Sequence, residues 1–289
     1  MAKDLIIGAF TNYNYNQLKP WVESIDECGF TGDKVMVVGN ASKETLKELS
    51  DRNFKLIQMS NMNIPIHVAR FLYIYDYLRE HWEEYDYVIT TDVKDVYFQT
   101  NPIKWLTSGR TNYHSSKNCK LVVGSEGIRY KDEAWGNENL YQCYGDYIYD
   151  HFKDNIIYNV GVLAGKSEYI KDLVFNIFTN AVNRPIPIVD QAVFNVLINT
   201  QPYKDCTYFA EQSDGWACHA GTTVDPSKIE GFRPHLTEAE PYFKDGIVYS
   251  SKDEPFCVVH QYDRVPEWKE FVRNKFNQLD ENEYFTFRT

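Results

Sequence analysis

Asp92 and Asp95 close a segment whose residue types could do chemistry. Tyr87-Val88-Ile89-Thr90-Thr91 reads as a buried strand and runs straight into Asp92-Val93-Lys94-Asp95, then a short apolar run and Pro102 as a stop. A strand ending in carboxylates presents hard oxygen ligands at the carboxyl edge of a sheet, where α/β folds bind ligands. Two such groups repel unless a cation lies between them, which is the arrangement that holds a divalent ion against a diphosphate. The plainer alternative is a strand-to-turn junction with two solvated aspartates.

Other chemistry-bearing residues sit at the ends of apolar runs. His260 follows Cys257-Val258-Val259. It is either a satisfied core histidine or a metal ligand, and one imidazole with two carboxylates suits Mn²⁺ better than Ca²⁺. His219 is its rival, read as structural or acceptor-lining. Asp190 after Ile188-Val189 reads either as a helix N-cap or as a carboxylate placed for reaction. Arg70, on the longest helical segment, could grip a phosphate through its fork or pair with a neighbouring carboxylate. Arg264 is a second phosphate candidate.

Strand and helix patterns alternate over the first hundred residues. Leu5 to Phe10, Lys34 to Val38, Phe54 to Met59 and Asp86 to Thr91 read as strands. Gln17 to Cys28, a short helix after Ser42, and Pro65 to Trp82 lie between them, with Ser42 as N-cap and Glu44 in the first turn. That alternation predicts a parallel sheet with right-handed crossovers. Beyond Asn101 the pattern loosens: strands at Leu121–Ser125, Val160–Ala164 and Phe256–Val259, and helices at Gly136–Cys143, Glu168–Val182, Asp190–Asn199 and Pro266–Leu279. Residues 200 to 255 read as loops and short strands.

The chain has 289 residues and a formal net charge of -11, with no Lys/Arg-rich run, which argues against binding along a nucleic-acid backbone. The 6 cysteines form no C-x-x-C pair, so a zinc site has no support, and the thiols are expected free. No signal segment or membrane span is legible, so a cytoplasmic chain is expected.

Four blocks, taken in order, resemble those of metal-dependent nucleotide-sugar glycosyltransferases of the GT-A fold, the glycogenin-like enzymes in particular. They are Asp95-Val96-Tyr97-Phe98-Gln99-Thr100-Asn101-Pro102, Asn159-Val160-Gly161, Val189-Asp190-Gln191, and Cys257-Val258-Val259-His260 with Arg264 and Trp268 after it. The chain's style also resembles the cytoplasmic transferases with which large algal viruses decorate capsid glycans. The family's D-x-D stands here as D-x-x-D, which favours Asp95 as ligand and leaves Asp92 to bind the ion directly, through water, or through the ribose.

The resemblance implies an α/β fold with a Rossmann-like, mostly parallel sheet in a single domain over 1–289. Residues 1–102 would form the nucleotide-binding half, and 103–289 the acceptor and catalytic half. It implies Mn²⁺ or Mg²⁺ on Asp95, Asp92 and His260, and a nucleoside-diphosphate sugar, by family habit UDP-linked, against Ala9, Phe10, Thr11, Asn12, Arg70 and Asp92. Arg264 would contact phosphate. Asn159, Gly161, Glu126, Trp135 and Gln191 would surround the donor sugar or a glycan or glycoprotein acceptor, although Glu126 and Trp135 fit equally a capped turn with a buried Trp. Asp190 would act at the reacting carbon, as base in an inverting enzyme or as stabiliser or nucleophile in a retaining one, the latter slightly favoured. Two alternatives stay open. A sugar-phosphate nucleotidyltransferase would carry a Gly-rich basic loop where Thr11-Asn12-Tyr13-Asn14-Tyr15 stands, and a non-catalytic carbohydrate-binding protein would need no metal pair.

Overall fold

The computed structural model describes residues 2–60, 63–108 and 118–279. Its centre is a seven-stranded sheet in the order β3-β2-β1-β4-β7-β6-β8. The strands are β1 (Lys3–Phe10), β2 (Asp33–Val38), β3 (Phe54–Gln58), β4 (Tyr85–Thr91), β6 (Leu121–Arg129), β7 (Ile156–Lys166) and β8 (Thr207–Ala210). β1, β2, β3 and β4 pair in parallel, as do β6 and β8, while β7 runs antiparallel to both its neighbours. The architecture is therefore α/β with a mostly parallel sheet flanked by helices.

Leu5, Ile6 and Ile7 are all fully buried, because helices cover both faces of the sheet. Successive residues serve opposite cores. Leu5, Ile7, Val35 and Val37 pack with Phe71, Ile74 and Leu78 of α3 (Ile66–His81), and with Leu173 and Ile177 of a helix at Ser167–Ala181. Ile6, Met36 and Val38 pack with Leu18, Trp21, Val22 and Ile25 of α1 (Tyr15–Glu27) on the other face. A reciprocal cap between Asn14 and Gln17 starts α1, and Ser42 caps α2 (Lys43–Asp51) through Thr45 N–H, as its sequence indicates.

Three departures from the sequence reading have local causes. Pro102 does not stop a chain segment; it opens α4 (Pro102–Thr107) at N1, where its missing N–H costs nothing and Asn101 Oδ1 accepts from Ile103 and Lys104 N–H. β6 and β7 extend to 9 and 11 residues, past the apolar runs that mark them, because Ser125, Glu126 and Asn159 are buried polar positions inside strands. Asp190 is the first residue of its helix (Asp190–Ile198) and not its cap, which is Val189.

A second sheet, β5-β12-β9, lies beyond the end of β4. β5 (Val96–Phe98) pairs antiparallel with β12 (Val258–His260), which pairs in parallel with β9 (Ala217–His219). Gln99 ties this sheet together: its amide donates to Val248 and Phe256 carbonyls and accepts from Val248 N–H, at 2.8–3.0 Å. All 6 cysteines are free thiols. Among the described residues no helix is long and apolar enough to cross a membrane.

Candidate functional site

Strand order reverses between β1 and β4, since β2 and β3 lie to one side and β7 to the other. The carboxyl ends of such neighbours diverge and leave a crevice. Here it is a cleft of about 640 Å³ lined by Ala9, Phe10 and Thr11 from the end of β1 and by Asp92 and Asp95 beyond β4.

Three elements bring Asp92, Asp95 and His260 together. Asp92 continues the β4–β7 ladder by donating its N–H to Gly161 O at 2.8 Å. Asp95 is held by β12, because Gln261 N–H donates to Asp95 O at 2.7 Å. Gln261 adopts a left-handed conformation, φ 60°, to do so, and its side-chain oxygen accepts from Gly221 N–H at 3.0 Å. A non-glycine residue held there beside the site is strain that the surrounding bonds impose. His260 is 3% exposed at its side chain, with Nε2 3.5 Å from Asp92 Oδ2 and 3.7 Å from Asp95 Oδ1.

One ligand atom from each of the three lies within 4.8 Å of the others. An ion with ligands at about 2.1 Å places adjacent ligands roughly 3 Å apart, so the three would have to draw slightly closer to share one ion. Two carboxylates and one imidazole are a donor set that could hold a metal ion. Space is reserved for this convergence. A Cβ on Gly161 would stand 2.6 Å from His260 Cε1, 2.8 Å from Asp92 Oδ2 and 2.9 Å from Asn159 Oδ1. The glycine thus makes room for ligand side chains.

Electrostatics match the geometry. Burial opposes ionisation of Asp92, yet Arg70 and His260 outweigh it and hold the carboxyl well below the usual range. Burial pushes Asp95 up; His260 pulls against that rise and the charge of Asp92 adds to it. His260 is raised: burial disfavours its charge, but Asp95 and Asp92 more than compensate. In its charged form His260 offsets the negative charge of the two aspartates.

Arg70 joins this centre to Asp190. Its guanidinium donates to Asp92 Oδ1 and, at 3.0 Å, to Asp190 Oδ2, with Nε left without a partner. Arg70 therefore pairs with carboxylates, as one reading of the sequence held, but inside the cleft and 14% exposed at its side chain. Burial raises Asp190, with Arg70 opposing. Behind them Glu126 Oε1 accepts from Asn159 at 2.7 Å and from Gln191 at 2.6 Å, and Gln191 Oε1 accepts from Val160 N–H. Gln191 is a brace for β7 and Glu126. Trp135 is no buried turn residue: it is 51% exposed at the rim, beside Ile188.

Of the residues singled out from the sequence, Asn12 and His219 stay out of the cleft lining; His219 is fully buried behind His260. The N–H and side-chain oxygen of Asn12 bond to Asn40 on the loop after β2. Arg264 lines the cleft, paired with Asp263 at 3.0 Å. Sequence reasoning missed Tyr13 and Lys94, which both line the cleft, the Lys94 ammonium lying over the Tyr13 ring 5.5 Å from its centre. Lys94 lies between the two aspartates in the chain, a signal that was available. It also missed His67 and Lys228, exposed residues that only the fold brings to the lining.

Comparison with models of known protein families finds none that matches this chain, and comparison with curated proteins finds no match.

Proposed function

We propose that the chain is a metal-dependent glycosyltransferase of GT-A type, moving a sugar from a nucleoside diphosphate to an acceptor hydroxyl. The observation that carries this reading is the Asp92–Asp95–His260 triad at the switch point between β1 and β4. An oxygen-rich centre at that edge is suited to a diphosphate, and the open side of the triad faces a cleft of the right scale for a nucleotide sugar. Mn²⁺ or Mg²⁺ bound there would neutralise charge on the departing diphosphate.

The chain's own groups take the remaining roles. The end of β1 at Ala9–Thr11, with Tyr13, borders the nucleoside side, and Lys94 and Arg264 stand where phosphate oxygens would arrive. Arg70 positions Asp92 and Asp190 at once. Glu126, fixed through one oxygen by two amides, keeps acceptor capacity for a sugar hydroxyl. In the transfer, the acceptor oxygen bonds to the anomeric carbon as the bond to the diphosphate oxygen breaks, and the acceptor proton passes to Asp190 if the reaction inverts or to the departing diphosphate if it retains. Asp190 is the carboxylate at the reacting face. The exposed Trp135 offers an apolar face to an acceptor sugar. UDP is the expected donor nucleotide, on the resemblance alone.

Calorimetric titration of UDP and GDP, each with Mn²⁺ and with EDTA, tests this. Metal-dependent, base-selective binding is the expected result. Absence of binding to either nucleotide with Mn²⁺ present would return the triad to a structural role.

A further inference from the structure

We propose that His219 is a positioning residue for the metal centre: it accepts the Nδ1 proton of His260 and so turns the Nε2 lone pair of His260 onto the ion. The proposal rests on the metal-binding reading above and adds a residue outside the ligand set.

The register creates the pair. In the parallel β9–β12 ladder His219 stands directly opposite His260, so both rings project from the same face. Their planes are nearly perpendicular, 88°, and the two Nδ1 atoms are 3.1 Å apart. Both residues are buried, His219 completely. Two Nδ1 atoms at hydrogen-bond distance cannot both carry a proton, and two bare ones would leave buried polar atoms unpaired.

Only one arrangement is compatible with an ion. If His219 donated, a neutral His260 would carry its proton on Nε2, aimed at Asp92 and Asp95 where the ion must sit. If His260 donates, its Nε2 is free to coordinate, and His219 carries its own proton on Nε2, the nitrogen packed against Gly124. A metal-bound imidazole ordinarily donates its other N–H to a carboxylate, a carbonyl or water, and that partner fixes ring and tautomer. Here the partner is a second histidine. An apolar side chain would fill the same space at no desolvation cost, so a fully buried imidazole here calls for such a function.

The test is calorimetric titration of the whole chain with Mn²⁺ alone, for wild type, His219→Phe and His219→Gln. Phe keeps the planar ring and lacks an acceptor; Gln changes the shape and keeps an oxygen. The expected order is wild type tightest, Gln close behind, and Phe weaker by about 10- to 100-fold. A packing role gives the reverse order, Phe like wild type and Gln weak, and would overturn the proposal. If wild type does not bind Mn²⁺, both the metal centre and this inference fail; if wild type binds and Phe binds equally, this inference fails alone. Long-range ¹H–¹⁵N spectra of the wild-type chain give a second readout, independent of whether the variants fold. They should show His219 protonated at Nε2 with Nδ1 bare, and a proton on its Nδ1 would refute the assignment.

Discussion

Gly161 lies closer to three functional side chains than any side chain of its own would allow, and that makes it the most sensitive single position of the site. Gly161→Ala would drive a methyl group into the space shared by His260, Asp92 and Asn159. Overpacking of this kind costs about 1–3 kcal/mol, which a chain of this size survives. The expected outcome is a folded protein, by circular dichroism, whose Mn²⁺ affinity has fallen at least about tenfold; unchanged affinity would mean that the triad is not the binding centre. Asp95→Asn probes the same centre from the ligand side. It removes a charged ligand while preserving shape, so Mn²⁺ binding should weaken by more than about 100-fold, beyond what loss of a supporting residue costs. Because Asp95 is raised by burial, the neutral Asn should leave the metal-free fold at least as stable, readable as an equal or higher melting temperature in EDTA.

Elements decide where those residues stand, and the small β5-β12-β9 sheet decides most. It carries Asp95 just ahead of β5, His260 at the end of β12 and His219 at the end of β9. Gln99 holds β5 against Val248 and Phe256 without touching the site. Gln99→Ala leaves Val248 N–H and two carbonyls without that partner, which should cost about 2 kcal/mol in denaturant unfolding. Mn²⁺ affinity should drop with it, and full affinity in a destabilised variant would mean that the sheet does not position the ligands. This sheet was only partly legible in the chain. β1, β2 and β4 carry apolar runs buried on both faces, readable because such burial leaves a local mark. Asp92, Asp95 and His260 were readable because polar residues end such runs. The pairing of β12 with β5 and β9 joins residues far apart in sequence through three-residue strands, and strands that short leave no periodicity. The His219–His260 contact depends on that register, and the inward position of Arg70 on α3 depends on the separate meeting of Asp92 and Asp190 beside it. The N-cap reading of Asp190 failed by one position because Val189, with no capping side chain, holds the cap.

At the scale of the whole molecule, an acidic chain with net charge -11 concentrates Asp92, Asp95, Asp190 and Glu126 around a cleft where Arg70 and His260 are the nearest buried cations. Metal, protons and folding are therefore linked. His260 is raised above its ordinary 6.5 in the folded, metal-free chain. A group raised on folding contributes stability that is fully present below its unfolded value and is lost as pH rises through its folded value. Asp95, Asp190 and Glu126 are raised as well, from 3.8, 3.8 and 4.5, so their contributions are also lost with rising pH. Asp92 has the opposite sign, but its depressed value places its effect below 3.8, outside the neutral range. Metal-free protein should accordingly lose melting temperature as pH rises through and above the ordinary 6.5 of His260. A divalent ion needs the deprotonated imidazole and carboxylates, so it binds more tightly over the same interval and replaces the proton it displaces. Free Mn²⁺ at 100 times its dissociation constant adds about 2.7 kcal/mol of stability, on the order of 5 °C for a chain of this length. Thermal melts at fixed Mn²⁺ and in EDTA should thus diverge as pH rises from about 6 to about 8, with the gap widest at the alkaline end. A gap that stays constant or narrows would mean that the ion does not compete with the His260 proton, and would move the metal away from the triad.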